Sequence, residues 1–350
     1  MSVPPIVDAH LDLAENATLF GHDLRLGLAS ARAERPQATV SLPGLRRGGI
    51  AVVFATVTPG FLVADVGTDF EPRAALYETP QEAEARALAQ VSLYEEWAAA
   101  GLVRLIRSLA DLDHHLELWQ ADRTPGLVLL MESADPIVEV ADLDDWWQRG
   151  VRLIGLTYGD TRYGAGVGSG SEVVRRGGLT SAGVALLERM GEYGIAWDIS
   201  HLAEDGVWQG LELGVGRVCA SHANARQLTP SDRHLSDEVI RALAARDGVV
   251  GLVLYNKFLD PRWRHDRSIA VTLADQARRH AQHLAEVGGW RYVGIGSDLD
   301  GGFGRDQTPT EIDSVADLVR VGGVVPPEVR AAVLGGNWLR FLRTTLPRSS

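Results

Sequence analysis

The sequence is poor in cysteine and has no excess of positive charge. Its 350 residues include one cysteine, Cys219, which excludes an internal disulfide and is typical of a reducing compartment. Aspartate and glutamate outnumber lysine and arginine by 46 to 34, so the formal net charge is −12. No basic stripe is available for phosphates. We therefore expect a cytoplasmic protein that binds no nucleic acid and attracts cations.

Long apolar runs are also lacking. No segment reaches the roughly 20 apolar residues that a membrane-spanning helix needs. The N-terminal sequence MSVPPIVDAH has neither the basic nor the apolar part of a signal peptide. We therefore expect no membrane partner. A Pro/Ser-rich linker and a fixed-period repeat are absent as well, and residues 1–350 are interpreted as one domain.

Eight short apolar runs recur along the chain, and most are separated by a segment with helical patterning. The runs are PIVDAHLD, GIAVVFATVTP, GLVLLME, VRLIGLTY, IAWDISH, RVCASHA, GVVGLVLY and YVGIGSDLDG. Near-continuous apolarity is typical of parallel strands that are covered on both faces. The alternation predicts an α/β fold, a (β/α)8 TIM barrel, with a long insertion at about residues 60–125 between strands 2 and 3.

Helix-start signals occur in the segments between these runs. Thr180 precedes an apolar stripe that ends at Gly194. Ser236 precedes two acidic residues, which favour a first helical turn. Thr272 with Asp275 resembles the start of a capping box. Each signal predicts a helix that begins at the next residue.

Polar residues lie at the C-terminal ends of the apolar runs, the face that carries the active site in such barrels. His10 and Asp12 are two residues apart, so on an extended strand both side chains point to the same side. Glu132 closes the run LVLLME, where an inward carboxylate has to be paired or bound to a metal. Taken alone, each of these signals is equally consistent with a solvated loop.

Two histidines and an aspartate extend the pattern. His201 and His222 end consecutive runs. Either one alone is more typical of a satisfied core histidine, but with Glu132 they form the nitrogen and oxygen ligand set that zinc prefers. Asp298 follows the last run, where a carboxylate could hold a metal-bridging water and move its proton. Six such groups at the ends of five strands are interpreted as one metal site.

Other polar residues are assigned weaker roles. Asp300 points away from Asp298 by strand alternation and is interpreted as structural, whereas Asp198 either orients an imidazole or faces the helices. The glycine-rich stretch 163–172 lacks the Lys-Ser/Thr ending of a nucleotide loop and predicts a mobile loop over the site. Most of the remaining histidines are expected at the surface: His114, His115, His234, His265, His280 and His283.

An ordered set of motifs runs from residue 8 to residue 340. The motifs are DAHLDL, LLMESAD, GLTSAGVALLERM, DISHLAEDG, ASHANAR, DRHLSDEVIRALA, GIGSDLDGG and GGNWLR. In this order they resemble the membrane dipeptidase (renal dipeptidase) family of amidohydrolase-like, zinc-dependent metal hydrolases. The resemblance covers nearly the whole chain and implies a metallopeptidase that hydrolyses dipeptides, including those with a D-residue at the C-terminal side.

The resemblance also implies the roles of individual residues. Two Zn²⁺ ions are implied, with one metal bound by His10 and Asp12, the other by His201 and His222, and Glu132 as the catalytic bridge between them. Asp298 would act on the hydroxide that bridges the metals, and Arg233 would bind the terminal carboxylate of the substrate. The family further implies a homodimer.

Two positions depart from the family pattern. The fourth run ends in Leu156-Thr157-Tyr158, where the family usually has a substrate-binding histidine, so that Tyr158 is the expected substrate-binding residue here. Ser133 replaces the common glycine after the bridging glutamate. The departure at Tyr158 leaves two alternatives open. One is a hydrolase of N-acyl amino acids or another small amide or ester, and the other is a metal-binding family member without catalysis.

Overall fold

The computed structural model describes residues 4–62, 75–168, 176–266 and 268–349. Eight strands, β1 to β8, form the central sheet of these ranges. They are Ile6–Leu11, Ile50–Val57, Gly126–Met131, Val151–Gly155, Ala196–Asp198, Val218–Cys219, Val250–Leu252 and Val293–Ile295. Each corresponds to one of the eight apolar runs, and each is buried along its whole length because helices cover its outer face.

The central sheet closes on itself. The strands are parallel and hydrogen-bonded in the order β7-β8-β1-β2-β3-β4-β5-β6. A parallel bridge between Ala220 and Val250 then joins the end of β6 to β7. The predicted (β/α)8 TIM barrel is confirmed. All eight strands therefore end at the same mouth of the barrel, the C-terminal face on which such folds carry their active sites.

Twelve α-helices, α1 to α12, lie in the described ranges. They are Leu13–Thr18, Leu28–Ala31, Leu42–Gly48, Pro80–Ala99, Leu109–Asp122, Leu143–Gln148, Ser181–Tyr193, Glu204–Leu213, Asp237–Ala244, Asn256–Leu259, Arg278–Val287 and Asn337–Thr345. Across these ranges, none of the helices combines the length and the apolarity that crossing a membrane would take.

The predicted helix starts are confirmed. The Thr180 and Ser236 hydroxyls each accept a hydrogen bond from the amide three residues further on, at the start of α7 and α9. The Thr272 hydroxyl accepts from the Asp275 amide at the start of a π-helical turn, Leu273–Ala277, which leads directly into α11. Gln276 instead of Asp275 returns the contact by accepting from the Thr272 amide. The cap therefore forms as predicted, with its second partner shifted by one residue.

The insertion between β2 and β3 contains α4 and α5 in its described part. Its two short strand pairs are Phe61–Leu62 with Leu76–Tyr77, and Arg104–Leu105 with β3. The Tyr94 hydroxyl of α4 donates to the Thr56 carbonyl (2.7 Å) and accepts from the Ala14 amide (3.0 Å). The insertion is therefore fastened to β2 and α1 beside the mouth of the barrel.

The barrel closes tightly where β6, β7 and β8 meet. A Cβ atom on Gly251 would lie 1.9 Å from the Ser221 carbonyl oxygen, and one on Gly296 would lie 1.8 Å from it. Only glycine permits this approach of three backbones. Because Ser221 precedes His222, the approach also fixes the point at which the His222 imidazole enters the mouth.

Three histidines that were expected at the surface are buried: His115, His234 and His280. For these three the expectation was wrong. The His280 Nδ1 atom accepts a hydrogen bond from the Ala225 amide and its Nε2 atom donates to the Leu259 carbonyl, both at 3.2 Å. This pair of bonds requires a neutral ring, because a protonated Nδ1 atom cannot accept.

We predict that His280→Gln makes the fold less sensitive to acid. Burial lowers the pKa of His280 from 6.5 to about 4, against a pKa of about 6.5 in the unfolded chain. The stabilising contribution of neutral His280 is complete above pH 6.5 and is lost as the pH falls towards 4. Between pH 7 and pH 5 the loss from this residue is about 2 kcal/mol. Urea unfolding at both pH values measures it.

The exposed His265 offers a matched control. His265→Gln should lose as much stability between pH 7 and pH 5 as the wild type, whereas His280→Gln should lose less. Equal losses in all three proteins would contradict the assignment of this acid sensitivity to His280.

Candidate metal centre

Side chains from four strand ends meet at the mouth of the barrel. His10 lies in β1 and Asp12 directly after it, Glu132 follows β3, and His201 and His222 lie three residues beyond β5 and β6. None of the five is more than 6% exposed. The structure therefore brings together all five residues that the sequence indicated as metal ligands, although up to 212 positions separate them in the chain.

Glu132 lies at the centre of this group. Its Oε1 atom is 3.5 Å from His10 Nε2, 3.2 Å from His201 Nε2 and 3.5 Å from His222 Nε2. His10 Nε2 is also 3.6 Å from Asp12 Oδ1. One oxygen of Glu132 thus faces three imidazoles, whereas Asp12 lies close to only one of them, that of His10. A carboxylate that is shared between two cations needs this central position.

The possible ligand atoms form two overlapping groups. His10, Glu132 and His222 make up one, and His10, Asp12 and Asp298 the other, with the atoms of each group within 4.8 Å of one another. Asp298, the sixth residue of the predicted constellation, lies just beyond β8 and is buried. Imidazole nitrogens and carboxylate oxygens in this combination are the donors typical of zinc sites.

Hydrogen bonds behind the imidazoles direct their Nε2 atoms towards the mouth. His201 Nδ1 donates to the Val167 carbonyl (2.7 Å), which leaves Nε2 without a proton. His222 Nδ1 bonds to the Ser221 hydroxyl (2.8 Å), and the His201 and His222 Nε2 atoms are 2.9 Å apart. Within the described ranges, His10 Nε2 makes no hydrogen bond. Such inward-facing nitrogens fit a cation as their common partner.

Negative charge is concentrated at the mouth. Four carboxyl groups lie close together there: Asp12, Glu15, Glu132 and Asp298. Burial raises the pKa of Glu15 and of Asp298 well above the ordinary value, and the neighbouring carboxylates raise it further. Burial would also raise the pKa of Glu132, but its interaction with the His10 and His201 imidazoles lowers it. Bound divalent cations would relieve this repulsion.

Two threonines at the C-terminal end of β2, one in the strand and one directly after it, support the carboxylates. The Thr56 hydroxyl donates to Asp12 Oδ1 (2.6 Å), and the Thr58 hydroxyl donates to Glu132 Oε2 (3.0 Å). These contacts hold both carboxylates in place. The sequence analysis missed them, although the signal was present as the polar residues in the ending TVTP of the second run.

The two other aspartates bind backbone atoms. Asp198 Oδ1 accepts from the amides of Ser200 (3.0 Å) and Ser221 (2.8 Å), so it fixes the segments before His201 and His222 instead of orienting an imidazole directly. Asp300 accepts from the Thr39 amide (2.8 Å) and hydroxyl (2.6 Å), away from the metal centre, as expected for a structural residue.

Arg233 lies against the histidines, where its guanidinium is almost fully buried. Its Nη2 atom donates to the His222 carbonyl (2.9 Å) and to His201 Nε2 (3.0 Å). In the described part of the chain, its Nε and Nη1 atoms have no hydrogen-bond partner. Buried guanidinium nitrogens without a partner are available for a ligand carboxylate.

Tyr158 and the glycine-rich stretch form the wall near His201. The Tyr158 ring lies 4.2 Å from the His201 ring and 4.7 Å, edge to face, from Phe61. Burial raises the pKa of the Tyr158 hydroxyl, so the hydroxyl is a neutral hydrogen-bond donor. Of the stretch 163–172, which was predicted to be a mobile loop, residues 169–172 lie outside the described residues.

Three strand ends turn through a left-handed residue. Ser133, His201 and Asp298 have φ angles of 72°, 64° and 61°. Side chains other than glycine adopt this conformation at a cost, and such positions occur often at functional sites. The angle also explains why glycine suits position 133, where this chain has serine.

We predict that Ser133→Gly stabilises the protein by about 1 kcal/mol. Glycine relieves the left-handed strain and removes a buried hydroxyl that has no hydrogen-bond partner in the described residues, although the more flexible unfolded chain offsets part of the gain. Ser133→Ala keeps the strain and should gain less. Urea unfolding measures both variants, and a less stable Ser133→Gly protein would refute the explanation.

The chain is similar to known proteins along nearly its whole length. Residues 1–347 match the family described as membrane dipeptidase, peptidase family M19. An uncharacterised protein in the pqqA 5′ region of Klebsiella pneumoniae is 32% identical over 254 residues, which are 70% of this chain and 90% of that protein.

Two solved structures are similar along nearly the whole chain. The metallopeptidase named dipeptidase AC has a TM-score of 0.79 and 25% identity, with 99% of each chain covered. A metallopeptidase from Rhodobacter sphaeroides, liganded with a phosphinate mimic of the dipeptide L-Ala-D-Ala, has a TM-score of 0.78 and 26% identity, with 98% of this chain and 100% of that chain covered. This chain belongs to the membrane dipeptidase family.

Proposed function

We propose that this chain is a zinc-dependent dipeptidase that hydrolyses the amide bond of dipeptides at the mouth of the barrel. The observation that carries the proposal is the position of Glu132 Oε1 within 3.5 Å of three imidazole nitrogens. Family membership supports a dipeptide as the substrate. The phosphinate mimic of L-Ala-D-Ala in the related Rhodobacter sphaeroides structure supports a substrate that can carry a D-residue at its C-terminal side.

Five residues would hold two Zn²⁺ ions. We assign His10 and Asp12 to one ion, His201 and His222 to the other, and Glu132 to both. The donor set and the carboxylate repulsion described above support this assignment. When bound, the ions would polarise the scissile carbonyl and make a water molecule more acidic.

Asp298 would move the proton during hydrolysis. Its carboxyl group is buried beside Asp12 and His10, where it could accept a proton from the attacking water and pass it to the leaving amine. Burial and the nearby carboxylates raise its pKa, which favours a group that holds a proton for part of the cycle.

Arg233 and Tyr158 would position the substrate. The unpartnered Nε and Nη1 atoms of Arg233 are buried donors on a positively charged group, which would bind the terminal carboxylate through charge-assisted hydrogen bonds. Tyr158 could donate a hydrogen bond from its hydroxyl to the developing oxyanion. The cytoplasmic location and the homodimer stay predictions of the sequence analysis.

We predict that Asp298→Asn lowers kcat for dipeptides by about 100-fold or more, because an amide cannot carry the proton. The zinc content should stay at the wild-type level, since the five assigned ligands are intact. Steady-state kinetics and elemental analysis of the same preparation measure both quantities. Asp113→Asn, at an exposed ion pair with Arg343, is the matched control and should keep full activity. Full activity of Asp298→Asn would refute the proposed proton role.

The proposed function is tested by metal analysis and a substrate panel. Purified protein supplied with zinc should contain about two ions per chain and hydrolyse L-Ala-L-Ala or L-Ala-D-Ala. Turnover of N-acetyl amino acids or esters alone would favour the alternative hydrolase. A protein that is loaded with metal but inactive on the whole panel would favour a binding role, and a protein that takes up no metal would overturn the proposal.

A further inference from the structure

Glu15 is a buried acid at the metal centre that the proposed mechanism does not use. It lies in the first turn of α1, three residues after Asp12, and is 8% exposed. The sequence analysis did not identify it, because a single glutamate in a helix is ordinarily a surface residue.

The Glu15 carboxyl group makes no ion pair and no side-chain hydrogen bond with any residue in the described part of the chain. The charged groups that act on it most strongly are Asp12, Glu132, His10 and Asp298. Three of these four are themselves acidic, and all four are assigned above to the metals or to the proton transfer. A buried carboxylate without a partner is costly, so a cationic ligand is the partner that this group lacks.

The barrel places Glu15 and Arg233 on opposite sides of the metal centre. Glu15 follows β1, whereas Arg233 lies in the segment after β6 and donates to His201, which follows β5. In the closed order of eight strands, β5 is four strands and β6 three strands away from β1. The metal centre is therefore flanked by an unpaired carboxyl group on one side and a guanidinium with free donors on the other.

We propose that Glu15 binds a positively charged group on the N-terminal side of the scissile bond. This identity of the ligand rests on the proposed dipeptidase function, because a dipeptide held by its carboxylate at Arg233 extends its N-terminal residue across the metals. The cation is the α-ammonium group or a lysine-like side chain of that residue. Glu15 thus selects cationic substrates over N-acylated ones.

Equilibrium binding of uncleavable analogues tests the proposal without relying on turnover. The probes are three phosphinate analogues: Ala-Ala with a free amine, N-acetyl-Ala-Ala, and N-acetyl-Lys-Ala. Titration calorimetry at pH 7.5 on zinc-loaded wild type should show the free amine binding about tenfold or more tightly than N-acetyl-Ala-Ala, as expected for one buried charged hydrogen bond. In Glu15→Gln the affinities of the free-amine analogue and of N-acetyl-Ala-Ala should differ by no more than about threefold. The affinity of N-acetyl-Ala-Ala should stay nearly unchanged.

The third analogue identifies the source of the cation. A gain in affinity of N-acetyl-Lys-Ala over N-acetyl-Ala-Ala that disappears in Glu15→Gln assigns Glu15 to the side chain. A Glu15-dependent gain for the free amine alone assigns it to the α-ammonium group.

The controls separate selectivity from structure. Glu117→Gln, at an exposed position of α5, should keep the wild-type ratio, and Glu15→Asp should recover part of it. Zinc content should be equal in all variants. An unchanged ratio in Glu15→Gln, or an equal loss of affinity for all three analogues, would overturn the role of Glu15. If the wild type prefers the free-amine analogue as expected but does not cleave dipeptides, only the proposed function would be contradicted.

Discussion

The structure depends on the sharing of one carboxylate oxygen, Glu132 Oε1, by three buried imidazoles. Those imidazoles come from β1 and from the segments after β5 and β6, so the contact exists only if the barrel is closed and all strands end at one mouth. The close backbone approach at Gly251 and Gly296 serves the same constraint, because it sets the position of Ser221 and hence of His222. Backbone packing directly beside the site therefore determines the geometry of the ligands.

Charge is the second organising feature. Several carboxyl groups are buried together at the mouth, which costs free energy in the protein alone and makes cations their natural partners. Hydrogen bonds from Thr56 and Thr58 hold two of these carboxylates, and Asp198 fixes the backbone ahead of the histidines. With Arg233 on the opposite side from Glu15, the site has the charge distribution that a zwitterion requires.

Local backbone geometry turns the side chains into this arrangement. The left-handed conformations at Ser133, His201 and Asp298 end the strand direction abruptly, so the polar groups point inward over the barrel instead of continuing along it. The insertion helix α4 contributes from outside, since Tyr94 bonds both to the end of β2 and to α1. The site is therefore held by the strands below and by the insertion beside it.

The fold class, the family and the polar residues at the strand ends could be predicted from the sequence. Apolar periodicity and polar residues at strand ends, such as His10 and Glu132, are local patterns that can be recognised in the sequence itself. Three features could be found only in the folded structure: the burial of His280, the hydrogen bonds from Thr56 and Thr58, and the position of Glu15 at the metal centre. These features depend on contacts between segments that are distant in the chain, and a one-dimensional pattern does not encode which helix face or strand end meets a given side chain.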